Sequence, residues 1–141
     1  MQKQSREETI SIAGIDSPVI LQYFQTLNAG DFVAISRLFA PDGALQPPFE
    51  EVVIGPEAIA QYLQQEAQGI RCHPTHGIMQ LADNGCHEAS IVGQVQTPWF
   101  GVKVSWFFAL SPQQEIFLVK VSLRASLPEL LKLRTRREFR L

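Results

Sequence analysis

Only two of the 141 residues are cysteines, Cys72 and Cys86. So few exclude a disulfide scaffold and make a reducing cytosol the default compartment. No apolar run approaches the ~20 residues that span a bilayer. The first nine residues, MQKQSREET, lack the apolar core of a secretory signal. With 18% charged residues and a net charge of −2, the chain has no general attraction for nucleic acid or an anionic membrane. Repeats, low-complexity tracts and linkers are missing as well. What remains is 45% hydrophobic and the length of one domain, enough to bury roughly two thirds of its unfolded surface.

The first half reads as helical. Residues 1–10 form a flexible polar arm. Asp16-Ser17-Pro18 is a helix start, a capping side chain followed by proline. Ile20, Tyr23, Phe24 and Leu27 then recur at helical spacing, and Asn28-Ala29-Gly30 ends that helix. Asp31 caps a second helix with Phe32, Ile35, Leu38 and Phe39 as its buried stripe. Pro41-Asp42-Gly43 closes it with turn chemistry. Gly55-Pro56-Glu57 opens a third, with Ile59, Tyr62 and Leu63 inside.

From residue 70 the period changes to alternation. Asp83-Asn84-Gly85 is a hairpin turn between strands over 76–82 and 86–97. Further strands cover 102–110 and 115–125, and Leu127-Pro128-Glu129 starts a short last helix. Helices followed by a long meander predict an α+β fold, with helices on one face of a curved sheet. Five of the twelve basic residues fall in the last ten positions, from Lys132 to Arg140. That tail reads either as a solvated terminus or as an amphipathic arm.

Catalytic signals are sparse. The Cys72-His73-Pro74-Thr75-His76 and Cys86-His87 clusters fall at opposite ends of the predicted hairpin, too far apart for a four-ligand zinc site. No carboxylate is placed to orient either histidine near Cys72, so a nucleophilic role for that thiol lacks support. Asp16 and Asp31 read as caps, Asp42 and Asp83 as turn residues, and Glu50, Glu51 and Glu66 as exposed. We therefore expect no catalytic residues and no metal. Tyr23 and Trp106 are more promising, because each carries a donor that needs an acceptor when buried. Spacing alone allows two readings: core residues bonded to backbone carbonyls or water, or a pair of donors for a ligand carbonyl.

The stretch Leu27 to Phe49, with its short helices leading into a strand, resembles the opening of the NTF2-like (ketosteroid-isomerase-like) cone fold. Enzymes of that superfamily often carry a catalytic carboxylate where this chain has Gln46-Pro47-Pro48. More specific are FAPDGALQPPF (39–49), GQVQTPWFG (93–101) and ASLPELL (125–131). Together with SIAGIDSPVILQYFQTLNAGDF (11–32), they resemble the family of carotenoid-binding C-terminal domains of the orange carotenoid protein of cyanobacteria, over residues 11–133. The resemblance implies an NTF2-like cone: a curved, mostly antiparallel sheet, three N-terminal helices over its concave face, and a short C-terminal helix. Residues 134–141 would form a basic tail.

The family resemblance also implies function. The chain would be a cytoplasmic cyanobacterial carrier, not an enzyme, that takes up, holds and transfers a keto-carotenoid (canthaxanthin or echinenone) and quenches singlet oxygen. Tyr23 and Trp106 would bond the ligand's keto oxygen, Pro98, Trp99 and Phe100 would surround its ring, and Ile70 and Cys72 would line the cavity. Cys72 matches a region where homologues use a redox-dependent disulfide between subunits. A homodimer sharing one carotenoid, a helical carotenoid protein as transfer partner and transient thylakoid contact are the implied associations. Between Trp99 and Trp106 the chain is about four residues shorter than the family pattern, an even number that keeps Trp106 facing inward. The alternatives are an NTF2-like isomerase or dehydratase and a ligand-free dimerisation module.

Overall fold

A computed structural model describes residues 9–124. The apolar stripe predicted for the first helix is buried on α1 (Pro18–Ala29). Its cap is Ser17, whose hydroxyl accepts from the Ile20 N–H; Asp16, expected in that role, stands one residue too early. Gly30 ends the helix at φ 75°, a left-handed conformation that glycine adopts at no steric cost. The Asp31 side chain caps α2 (Phe32–Ser36) by accepting from the Ala34 N–H. That helix is shorter than expected. Phe39 and Pro41-Asp42-Gly43, predicted as helix end and turn, belong instead to β1 (Phe39–Gln46).

The correction has a packing reason. β1 runs parallel to the last strand, β6 (Ile116–Leu123), and its register jumps from Phe39↔Ile116 to Ala44↔Leu118. The additional β1 residues between those pairs form a bulge, which accommodates proline inside a strand. A Cβ on Gly43 would lie 2.6 Å from the Ile116 carbonyl oxygen, so only glycine fits there.

β2 (Val53–Ile54) and α3 (Pro56–Glu66) follow, and Ile59 and Leu63 of α3 are buried. Tyr62, expected beside them, is half-buried. β3 (Arg71–Leu81), β4 (His87–Gln96), β5 (Gly101–Leu110) and β6 complete one six-stranded mixed sheet in the order β2-β1-β6-β5-β4-β3. The final helix expected from Leu127 and the basic tail lie outside the described residues.

β3 begins five residues earlier than its alternation suggested, because its register shifts between Pro74 and His76 and interrupts the pattern. As an end strand it has one side without a neighbouring strand. Ala13 meets part of that side, donating to the Thr75 carbonyl and accepting from the Gly77 N–H. On the sheet's inner face, Ile91 pairs with Trp106 and Trp106 with Val121, while Ala89, Phe108 and Val119 form the next row. These residues and the buried stripes of the helices form one core. Helix and sheet are joined there by apolar burial.

Candidate ligand site

Four aromatic rings from α1 and β5 meet in this core. Tyr23 lies edge to face against Phe24 and Phe108, with centroids 5.2 Å away in each case. Phe24 is in turn 4.9 Å from Trp106 and 5.8 Å from Phe108. Helical spacing puts Tyr23 and Phe24 on one stripe, and alternation puts Trp106 and Phe108 on one sheet face. Phe24 therefore stands between the two donor-bearing rings. In the sequence Phe24 shows only as part of the helix stripe.

Tyr23 is 0% exposed and Trp106 1%. Among the described residues, neither Tyr23 Oη nor Trp106 Nε1 has a hydrogen-bond partner, and the third such buried atom, His87 Nδ1, lies on β4. A buried donor left unsatisfied costs about 1–3 kcal/mol. Two of them in one aromatic cluster fit a bound acceptor such as a carbonyl oxygen, which has two lone pairs. Among the described residues neither group is bonded to a backbone carbonyl.

Cys72, on the inner side of β3, is also 0% exposed. Burial pushes its thiol well above the ordinary 9.0. Burial likewise drives the Tyr23 phenol far above its usual 10.0, and the Cys72 thiol and Tyr62 phenol raise it further. Tyr23 therefore remains a protonated donor throughout the neutral range. The sign of the pH dependence follows. Unfolded chains release these protons from about pH 9–10 upward while the folded protein keeps them, so stability is full below that range and falls as pH rises. Each group contributes a slope of about 1.4 kcal/mol per pH unit. Urea midpoints should drop between pH 9 and 11, and Tyr23→Phe should lessen the drop above pH 10; equal losses in both proteins would contradict the burial of this phenol.

The other predicted site residues divide between core and surface. Ile70 is buried, Phe100 is half-buried against the core, and Pro98 and Trp99 face outward, Trp99 at 67% exposure. The Thr97 hydroxyl organises this turn, accepting from the Trp99 and Phe100 N–H groups and donating to the Phe100 carbonyl. A Cβ on Gly69 would come 3.3 Å from the Pro98 ring, so the turn lies beside the segment leading into β3. Pro98, Phe100 and Ile70 thus mark one end of the sheet, with Tyr23, Cys72 and Trp106 deeper. Among the described residues no three His, Cys, Asp or Glu side chains converge on a metal position. A surface groove of about 250 Å³ between Gln46–Phe49 and Lys120–Leu123 includes neither Tyr23 nor Trp106.

Residues 20–98 match the SnoaL-like domain model, and the chain belongs to that family. Within it, the chain is a homologue of the C-terminal domain of the orange carotenoid-binding protein. It is 38% identical over 136 residues to that protein from Limnospira maxima, covering 94% of this chain and 43% of the relative. The Synechocystis protein is 39% identical over 126 residues, covering 86% and 40%. The solved orange carotenoid protein of Anabaena (Nostoc) sp. PCC 7120, which binds canthaxanthin, superposes with a TM-score of 0.84 at 39% identity, over 93% of this chain and 43% of that one. The chain thus spans about two fifths of the length of these relatives. The expected NTF2-like α+β fold is borne out, and the named relatives are carotenoid-binding proteins and not enzymes. No helix among the described residues is long and apolar enough to cross a membrane.

Proposed function

We propose that the chain is a carrier that takes up, holds and passes on a keto-carotenoid and quenches singlet oxygen. One observation carries this reading: Tyr23 Oη and Trp106 Nε1 are buried donors without partners among the described residues, in an otherwise apolar core. Kinship with proteins named for carotenoid binding supplies the ligand class. Canthaxanthin, bound by the Anabaena relative, and echinenone both carry a suitable ring ketone. Burying the ring contributes about 25 cal/mol per Å² of apolar area. The two donors add roughly 1 kcal/mol each and fix its orientation. A ketone accepting two hydrogen bonds draws electron density along the polyene and lowers its excitation energy, which would redden the bound pigment.

The polyene is longer than one domain can cover, so a homodimer sharing one molecule is part of this proposal, with a helical carotenoid protein as acceptor. Redox linkage through Cys72 requires that buried thiol to become accessible; Cys86 is half-exposed already. On non-reducing gels, a covalent dimer that uses Cys72 should vanish in Cys72→Ser and persist in Cys86→Ser, while the reverse pattern would transfer the role to Cys86. A second reading, a ligand-free dimerisation module, is favoured by the close edge-to-face packing of Tyr23, Phe24 and Phe108. Expression in cells making canthaxanthin or echinenone separates the two. Coloured protein supports the carrier; colourless protein from pigmented cells rejects it.

A further inference from the structure

Among the described residues, the helix that carries Tyr23 is hydrogen-bonded to the sheet through one residue, Asn28. Asn28, about one and a half turns beyond Tyr23 on α1, reaches across to β3. Its Nδ2 donates to the Cys72 carbonyl at 2.9 Å, and the Cys72 N–H donates to its Oδ1 at 2.6 Å. A carboxamide has the donor and acceptor of a peptide group, so Asn28 acts as a one-residue neighbouring strand at the unpaired side of the sheet. Cys72 is also the residue whose fully buried side chain lies on the inner face of β3.

We infer that Asn28 is a positioning residue for the ligand site, holding the Tyr23 hydroxyl at the height and rotation at which a bound ketone can accept from it. Apolar contacts between α1 and the sheet are non-directional and tolerate sliding. A pair of opposed hydrogen bonds does not, because a shift of α1 along its axis lengthens one of them. Thus Asn28 supplies the direction that the stripe of Ile20, Tyr23, Phe24 and Leu27 lacks. This inference rests on the proposal that Tyr23 donates to a carbonyl ligand.

The test is a double-mutant cycle on the full chain loaded with canthaxanthin, read by the position of its absorbance band. Asn28→Leu removes both bonds at similar volume, and Asn28→Asp keeps only the acceptor. Both should shift the band to the blue, Asn28→Leu further. In a Tyr23→Phe background the Asn28→Leu shift should disappear, because the group being positioned is gone. The Cys72 amide should exchange about tenfold faster in Asn28→Leu, the factor for losing roughly 1.4 kcal/mol of local protection. An unchanged band despite faster exchange, or an equal band shift in both backgrounds, would overturn the positioning role. If the unmodified protein stays colourless, the carrier reading fails separately. The inference is then judged by the Tyr23 ring resonances, which Asn28→Leu should displace; unmoved resonances overturn it.

Discussion

Tyr23→Phe is expected to stabilise the ligand-free protein by about 1–2 kcal/mol while weakening its hold on the pigment. Removing an aromatic hydroxyl from a native protein core ordinarily breaks a hydrogen bond and destabilises it. Here Tyr23 Oη is buried without a partner among the described residues, so the substitution removes a desolvated donor and preserves the ring. The ring contacts to Phe24 and Phe108 at 5.2 Å survive. With a ketone bound, the same hydroxyl has its acceptor, and its loss should raise the Kd several-fold. Opposite signs for the two effects identify a group retained for ligand and not for fold. Denaturant melts of the apo protein and carotenoid retention on gel filtration measure them separately. A destabilised apo variant would mean that Tyr23 already has a structural partner.

Phe24→Ala should cost about 3–5 kcal/mol of stability. Phe24 is fully buried and touches the rings of Tyr23, Phe108 and Trp106. Truncation therefore opens a cavity between the two donor-bearing rings and frees both to turn. Phe24→Leu, which keeps most of the volume, should cost far less stability yet still broaden the pigment band, because it no longer supports Trp106 edge-on. The urea midpoint gives the first effect and the band width the second. A Phe24→Ala loss below 1 kcal/mol would show that the cluster closes around the gap and that Phe24 does not hold the donors apart.

The parts of this site that follow a single period were legible in the sequence. Helical spacing brought Tyr23 to the buried side of α1, and alternation brought Trp106 inward beside Val104 and Phe108. Errors arose where the period breaks. Phe39 continues the spacing of Phe32 and Ile35, so a helical pattern hid the start of β1; what makes it a strand is a parallel pairing with Ile116, distant in sequence. The bulge after Pro74 splits the alternation of β3, so the pattern puts the strand's start at residue 76 and not at Arg71. Asn28 carried only a helix-stop signal, since its bonds to Cys72 cross 44 positions that no local pattern spans. Cys72 gained a redox role only from the family resemblance; its neighbours His73 and His76 are exposed, whereas its own side chain faces the core. The proline and tryptophan of the 97–101 turn gave a bend, but the outward direction of Trp99 depends on the hydroxyl of Thr97.

The ketone stretching frequency of the bound carotenoid tests the role of Tyr23 and Trp106 most directly. Two hydrogen bonds weaken the C=O bond, so the vibration in the loaded protein should lie below its value in an apolar solvent. It should rise partway in Tyr23→Phe or Trp106→Phe and return to the solvent value in the double variant. A frequency in the unmodified protein equal to that in apolar solvent, insensitive to both substitutions, would show that these donors do not bind the ketone.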